Sequence, residues 1–354
     1  MDLADLHVHP TLPWVGSLWR KRVQGFRPGF LDGAIPSPSQ ASASPSASPA
    51  PRRLYGAVFY QTHALRPTAA RHRLFTSIKD FRKRLTARAG NRLLLSAADL
   101  EAFRGRAGAA SYGIEACFIA VESMRCLRDP GDVRRLWDCG VRSLQPIHFL
   151  DTAWGGSSRE GLLPESRTGL TGLGREMLAE MAGLGLILDL AHMSRRNAEE
   201  CLAAYPGPVM CSHTGLQSLN PSARNLSEES AKEIFRRGGV VGITCWRHLL
   251  GPDPRRTPKP GAASPADLAA DSPLAAWTRS YCATAAAFAA LAPGARVAIG
   301  SDRGAPIRAP ARFYSPDHLA EMEIALAGHG WDPGKIRGFF SGHAWDFLSR
   351  SLPA

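Results

Sequence analysis

The 354-residue sequence predicts a single (β/α)8 barrel, and three observations carry that prediction. Nine short strand-like runs alternate with helical or irregular stretches, which argues for a parallel sheet. Most of those runs end in a histidine or a carboxylate, and barrels of this type build their sites at the C-terminal ends of the strands. The length suits one barrel of ~250 residues with insertions. A hydrophobic content of 44% can fill its core.

In chain order the runs are ADLHVHP (4–10), RLYGAVFY (53–60), RLLLSAAD (92–99), EACFIAVE (115–122), VRSLQPIH (141–148), GLILDLAH (185–192), GPVMCSH (207–213), GGVVGITC (238–245) and RVAIGSD (296–302). Eight places cannot hold nine strands, so one run is spurious or peripheral, and 92–99 is expected to be that one. Helical patterns at 172–185 and 227–239 fall between strands, as a barrel requires. In the first run, period-two alternation puts Leu6 and Val8 on one side and His7 and His9 on the other. Two imidazoles on one face can grip a metal such as zinc, or they can be the solvated polar face of an ordinary strand. Alone, the pair fits either. The set decides it: His7 and His9, Glu122, His148, His192, His213 and Asp302 all stand at or near run ends.

Two stretches interrupt the alternation. Residues 32–53 are a Ser/Pro/Ala low-complexity segment that cannot pack a core, and 251–273 is a second, less extreme irregular insertion. Both follow strand ends, so both are expected over the catalytic face of one domain spanning 1–354.

The formal charge of +12 invites a nucleic-acid reading, but 37 of the 43 basic residues are arginine in an Ala-, Gly- and Pro-rich chain. The densest basic stretch, 71–88, has helical spacing and reads as a solvated helix face, so no nucleic-acid partner is expected. Seven scattered cysteines without a C-x-x-C suit a reducing compartment. The first residues show no basic and apolar leader pattern, and no apolar run approaches the ~20 residues that span a bilayer. A soluble, cytoplasmic protein with no membrane partner is expected; the sequence leaves oligomeric state open and is compatible with a homodimer.

Several blocks together resemble the membrane (renal) dipeptidase family, peptidase family M19 of the amidohydrolase superfamily. They are DLHVHPTLPW, IAVES, VRSLQPIHFLDTAWG, GLTGLGREMLAEMAGLGLILDLAHMS, PVMCSHTGLQSLNPSARNL, AIGSD and IRGFFSGHAWDFL. The resemblance implies a metal-dependent hydrolase barrel holding two Zn2+ ions. It implies His7 and His9 as ligands of one ion, His192 and His213 as ligands of the other, and Glu122 as the bridge. It further implies that a metal-bridging hydroxide attacks a dipeptide amide, with Asp302 handling protons. His148 would bind substrate and the oxyanion, and Arg224 would hold the substrate carboxylate. The lesser alternative for Arg224 is a surface arginine in a loop.

The chain departs from the family pattern in four places. His9 stands where an Asp is usual, "ESMR" lacks glycines after Glu122, Arg303 and Gly304 replace an aromatic and an acid, and His343 replaces an Asn. Three functions stay compatible with the residues. They are a dinuclear zinc dipeptidase, a related hydrolase of N-acyl amino acids or lactones, and a metal-binding pathway protein without activity.

Overall fold

A computed structural model describes residues 1–9, 52–60, 66–87, 90–105, 115–161, 163–252, 272–303, 313 and 315–354. Strands β1 (Leu3–Val8), β2 (Arg53–Tyr60), β4 (Glu115–Glu122), β5 (Val141–Gln145), β6 (Ile187–Asp189), β7 (Val209–Thr214), β8 (Val240–Ile243) and β9 (Val297–Ile299) pair in parallel around a closed ring. The order runs β2-β1-β9-β8-β7-β6-β5-β4, and β4 closes it by pairing with β2. This is a TIM-like (β/α)8 barrel.

The ninth run is peripheral, as expected. β3 (Arg92–Leu93) touches only the first part of β4, at Ala116 and Cys117. The reason lies in β4, which pairs with β2 along its whole length on one edge and with β5 from Ile119 on the other, so β3 is left only the start of that second edge.

Both faces of a barrel strand are covered, one by the barrel interior and one by helices. Every residue of β1 and β7 is accordingly buried, polar ones included. The polar side of β1 is therefore not a solvated face. Three of the helices around the site start on side-chain caps: Thr171 for Gly172–Gly183, Ser194 for Arg195–Ala204 and Ser227 for Glu228–Arg236. Helix Pro67–Thr86 buries Leu74, Ile78, Phe81 and Leu85 along one stripe and leaves Lys79, Lys83 and Arg84 exposed. Each such apolar side chain is worth ~1.5–3 kcal/mol when fully buried.

The two insertions lie almost wholly outside the described residues, but their borders are placed. Arg52 pairs with Asp2, and Arg53 opens β2. Gly251 is buried and donates to Thr284 Oγ1 at 3.1 Å, while Pro273 opens helix Pro273–Ala290. His343 opens the last helix and donates from Nδ1 to the carbonyl of Val297 at 2.8 Å. Val297 begins β9, so His343 belongs to the end of the barrel opposite Asp302. That departure from the family pattern lies away from the candidate site.

Candidate metal centre

The seven strand-end residues converge on one buried carboxylate. Glu122 ends β4, and its Oε2 lies 3.5 Å from His9 Nε2. Its Oε1 lies 3.4 Å from His192 Nε2, 3.9 Å from His7 Nε2, and 4.0 Å from both His148 Nε2 and His213 Nε2. Asp302 Oδ1 is 3.2 Å from His9 Nε2 and 3.8 Å from His7 Nε2. Three overlapping groups have ligand atoms close enough to share an ion: His7/His9/Asp302, His7/Glu122/His213 and Glu122/His148/His192. His148, expected on the substrate side, thus stands within ligand range of Glu122 and His192 as well.

Local backbone aims these groups. Among the described residues the non-glycine left-handed positions are Ser123, Arg159, Glu160, His192 and Asp302. Two are site residues, Ser123 follows Glu122, and Glu160 touches His192. Such conformations cost ~1–3 kcal/mol each and persist where surrounding contacts impose them. Asp302 N donates to the His7 carbonyl (2.9 Å) and His9 N to that of Arg303 (2.8 Å), so the β1–β9 ladder continues into the site. Arg303 is half-buried beside Asp302; Gly304 lies outside the described residues.

Two aspartates brace the ligand-bearing turns. Asp5 Oδ1 accepts from the amides of His7 and Ser301, and Asp189 Oδ1 accepts from those of Ala191 and Ser212. Burial pushes the Asp189 carboxyl up, opposed by the Ser212 and Ala191 donors. Ser212 Oγ lies 2.9 Å from His7 Nδ1 and from His213 Nδ1. Protons on the two Nδ1 atoms, donated to this hydroxyl, would leave both Nε2 lone pairs for the pocket. Gly242 and Gly300 make room for that strand end. A Cβ on either would come within 1.9 Å or 1.8 Å of the Ser212 carbonyl oxygen.

The electrostatics suit a cation. Burial, with neighbouring imidazoles and Arg224, holds His7, His192 and His213 well below the usual histidine range, so they are neutral and can donate lone pairs. Burial and then the Asp302 charge raise Glu122 to about 7, while His9 pulls the other way. Burial lowers His9, but its bond to Asp302 and the Glu122 charge outweigh that and raise it. His7 Nε2 is fully buried and makes no hydrogen bond among the described residues. A bare lone pair facing carboxylates in a buried pocket fits a metal ligand.

Arg224 is not a surface arginine: it is 4% exposed. Its Nη2 donates to the His213 carbonyl at 3.1 Å, and its Nε lies 3.4 Å from Glu160 Oε1. Sequence reasoning missed Glu160, Asp5, Asp189, Ser212 and Gln145, whose amide donates to Glu122 at 2.8 Å. It also missed Tyr60, which stands opposite Glu122 in the β2–β4 register with its ring 4.7 Å from that of His148. "DLH" and "DLAH" held a signal for the two aspartates; "SSREG" held none for Glu160.

Comparison with known proteins agrees with this fold. An uncharacterised dipeptidase of Schizosaccharomyces pombe is 31% identical over 120 residues, which cover 33% of this chain and only 28% of that protein. Among solved structures, the dipeptidase AC, a family M19 metallopeptidase, superposes with a TM-score of 0.67 at 19% identity, covering 100% of this chain and 99% of that one. A metallopeptidase from Rhodobacter sphaeroides, bound to a phosphinate mimic of the dipeptide L-Ala-D-Ala, gives 0.66 at 18% identity with 99% of both chains covered. The model of the membrane dipeptidase family matches residues 54–344, from the second barrel strand to the last helix, and the chain belongs to that family, peptidase family M19.

Proposed function

We propose that the chain is a dinuclear zinc-dependent dipeptidase that cleaves the amide bond of dipeptides or related small amides. The observation that carries this reading is Glu122, a single buried carboxylate with His9 at one oxygen and His7, His148, His192 and His213 around the other. The donor set of neutral imidazoles and carboxylates suits zinc. Bound there, the ions lower the pKa of a water toward ~7 and polarise the scissile carbonyl.

The chain's own residues do the rest. Asp302, half-buried beside His9, takes a proton from the attacking water and passes it to the departing amine. His148, partly exposed at the rim, donates to the oxyanion. Arg224 receives the substrate carboxylate; its Nη1 is buried without a hydrogen bond among the described residues, a donor left for an anionic oxygen. The dipeptide mimic held by the Rhodobacter sphaeroides protein makes dipeptides the class to try first. Seven free thiols support a reducing compartment.

The test is a substrate panel with the zinc-loaded chain. Dipeptide hydrolysis that a chelator abolishes and zinc restores is expected. Turnover confined to N-acyl amino acids or lactones would move the chain to the related-hydrolase reading. No turnover of any class would leave a metal-binding protein.

A further inference from the structure

The β6/β7 side of the pocket sets a buried arginine next to a place for a divalent cation. Arg224 is buried and donates to the His213 carbonyl at 3.1 Å, so a guanidinium stands directly behind a ligand turn. A fixed positive charge in that place repels a metal ion. Something has to offset it.

Glu160 is placed to do so. Its Oε1 faces Arg224 Nε at 3.4 Å and accepts from His192 Nδ1, so one oxygen meets both groups. The imidazole then presents Nε2 to Glu122 and to His213 Nε2, 2.8 Å away. A carboxylate behind a ligating histidine fixes its tautomer and raises its basicity. The Glu160 side chain is only 7% exposed, and the residue sits, with Arg159, in two consecutive left-handed positions. The loop is tied down around it. Ser157 Oγ donates to the His148 carbonyl (2.6 Å), Ser158 N to that of His192 (2.9 Å), and Arg159 Nη2 to Asp151 Oδ2 (3.0 Å). This is a loop built to deliver one carboxylate.

We infer that Glu160 is a positioning residue that orients His192 and neutralises Arg224, so that a metal ion can bind beside a guanidinium kept for substrate. The inference rests on the dinuclear reading above, but its test needs no turnover. Zinc release to a chromogenic chelator is followed from the zinc-loaded full chain, wild type beside Glu160→Gln and Glu160→Gln/Arg224→Gln. Glu160→Gln should weaken one of the two ions ~10- to 100-fold, the range for groups behind a ligating histidine, and leave the other near its wild-type affinity. The double variant should regain part of the loss, because the unopposed charge is gone. A merely structural Glu160 would lower thermal stability without this rescue. The inference is overturned if Glu160→Gln holds zinc as wild type does, weakens both ions alike, or is not improved by removing Arg224. A wild-type chain holding a single ion would instead refute the dinuclear reading, and the variants would still report on Glu160 at that ion.

Discussion

On the β1/β9 side of the pocket, His9 and Asp302 are placed largely by main chain, and His7 by main chain together with the shared Ser212 hydroxyl. The ladder runs on past the strand ends, and Asp5 gathers the amides of His7 and Ser301. On the β6/β7 side, His192, His213 and Arg224 are placed largely by side chains, through Glu160 and Ser212. The first arrangement concentrates a carboxylate against imidazoles; the second sets a guanidinium among them. The difference suggests a division of labour, with proton handling on one side and substrate holding on the other.

Three substitutions break or sharpen that comparison. Asp302→Asn should act on turnover. A positioned acid–base group contributes ~10²- to 10⁴-fold, so kcat should fall by that order with KM little changed and zinc content retained. A loss expressed in KM alone would move Asp302 out of the proton path. Arg224→Ala should act on binding, raising KM about 10- to 150-fold for substrates with a free carboxylate, as for a charge-assisted contact of ~1.5–3 kcal/mol. An amidated analogue should hardly notice, and equal losses on both would make Arg224 structural.

The smallest effect concerns His9. Asp at this position would add a negative charge to the pocket, and negative charge disfavours hydroxide, so the pKa of the activated water should rise. His9→Asp should therefore shift the acidic limb of the kcat/KM profile to higher pH while both ions stay bound. A limb that stays put or moves down, at unchanged metal content, would make the histidine a ligand swap without consequence for the nucleophile.

The same contrast governs how much the sequence could tell. Strands are local, so all nine runs and the peripheral place of 92–99 were legible from alternation and spacing. The candidate ligands were legible too, because a barrel puts strand ends on one face and the residues at those ends could be read off. Glu160 was not. It reaches His192 and Arg224, 32 and 64 positions later, from an irregular loop, and no periodicity marks such a residue. Arg224 and His343 show the same limit from two directions. Loop context alone leaves Arg224 open to a surface reading, yet it is buried in the site, while His343 departs from the family pattern and serves the far end of the barrel.

The central claim is that one carboxylate, Glu122, joins two metal positions. Elemental analysis of the purified, reconstituted chain tests it most directly. Two zinc ions per wild-type chain are expected, with Glu122→Gln weakening both positions together because a single residue serves both. A wild-type chain that never exceeds one ion after reconstitution, or a Glu122→Gln chain that loses one ion and keeps the other at full affinity, would contradict it.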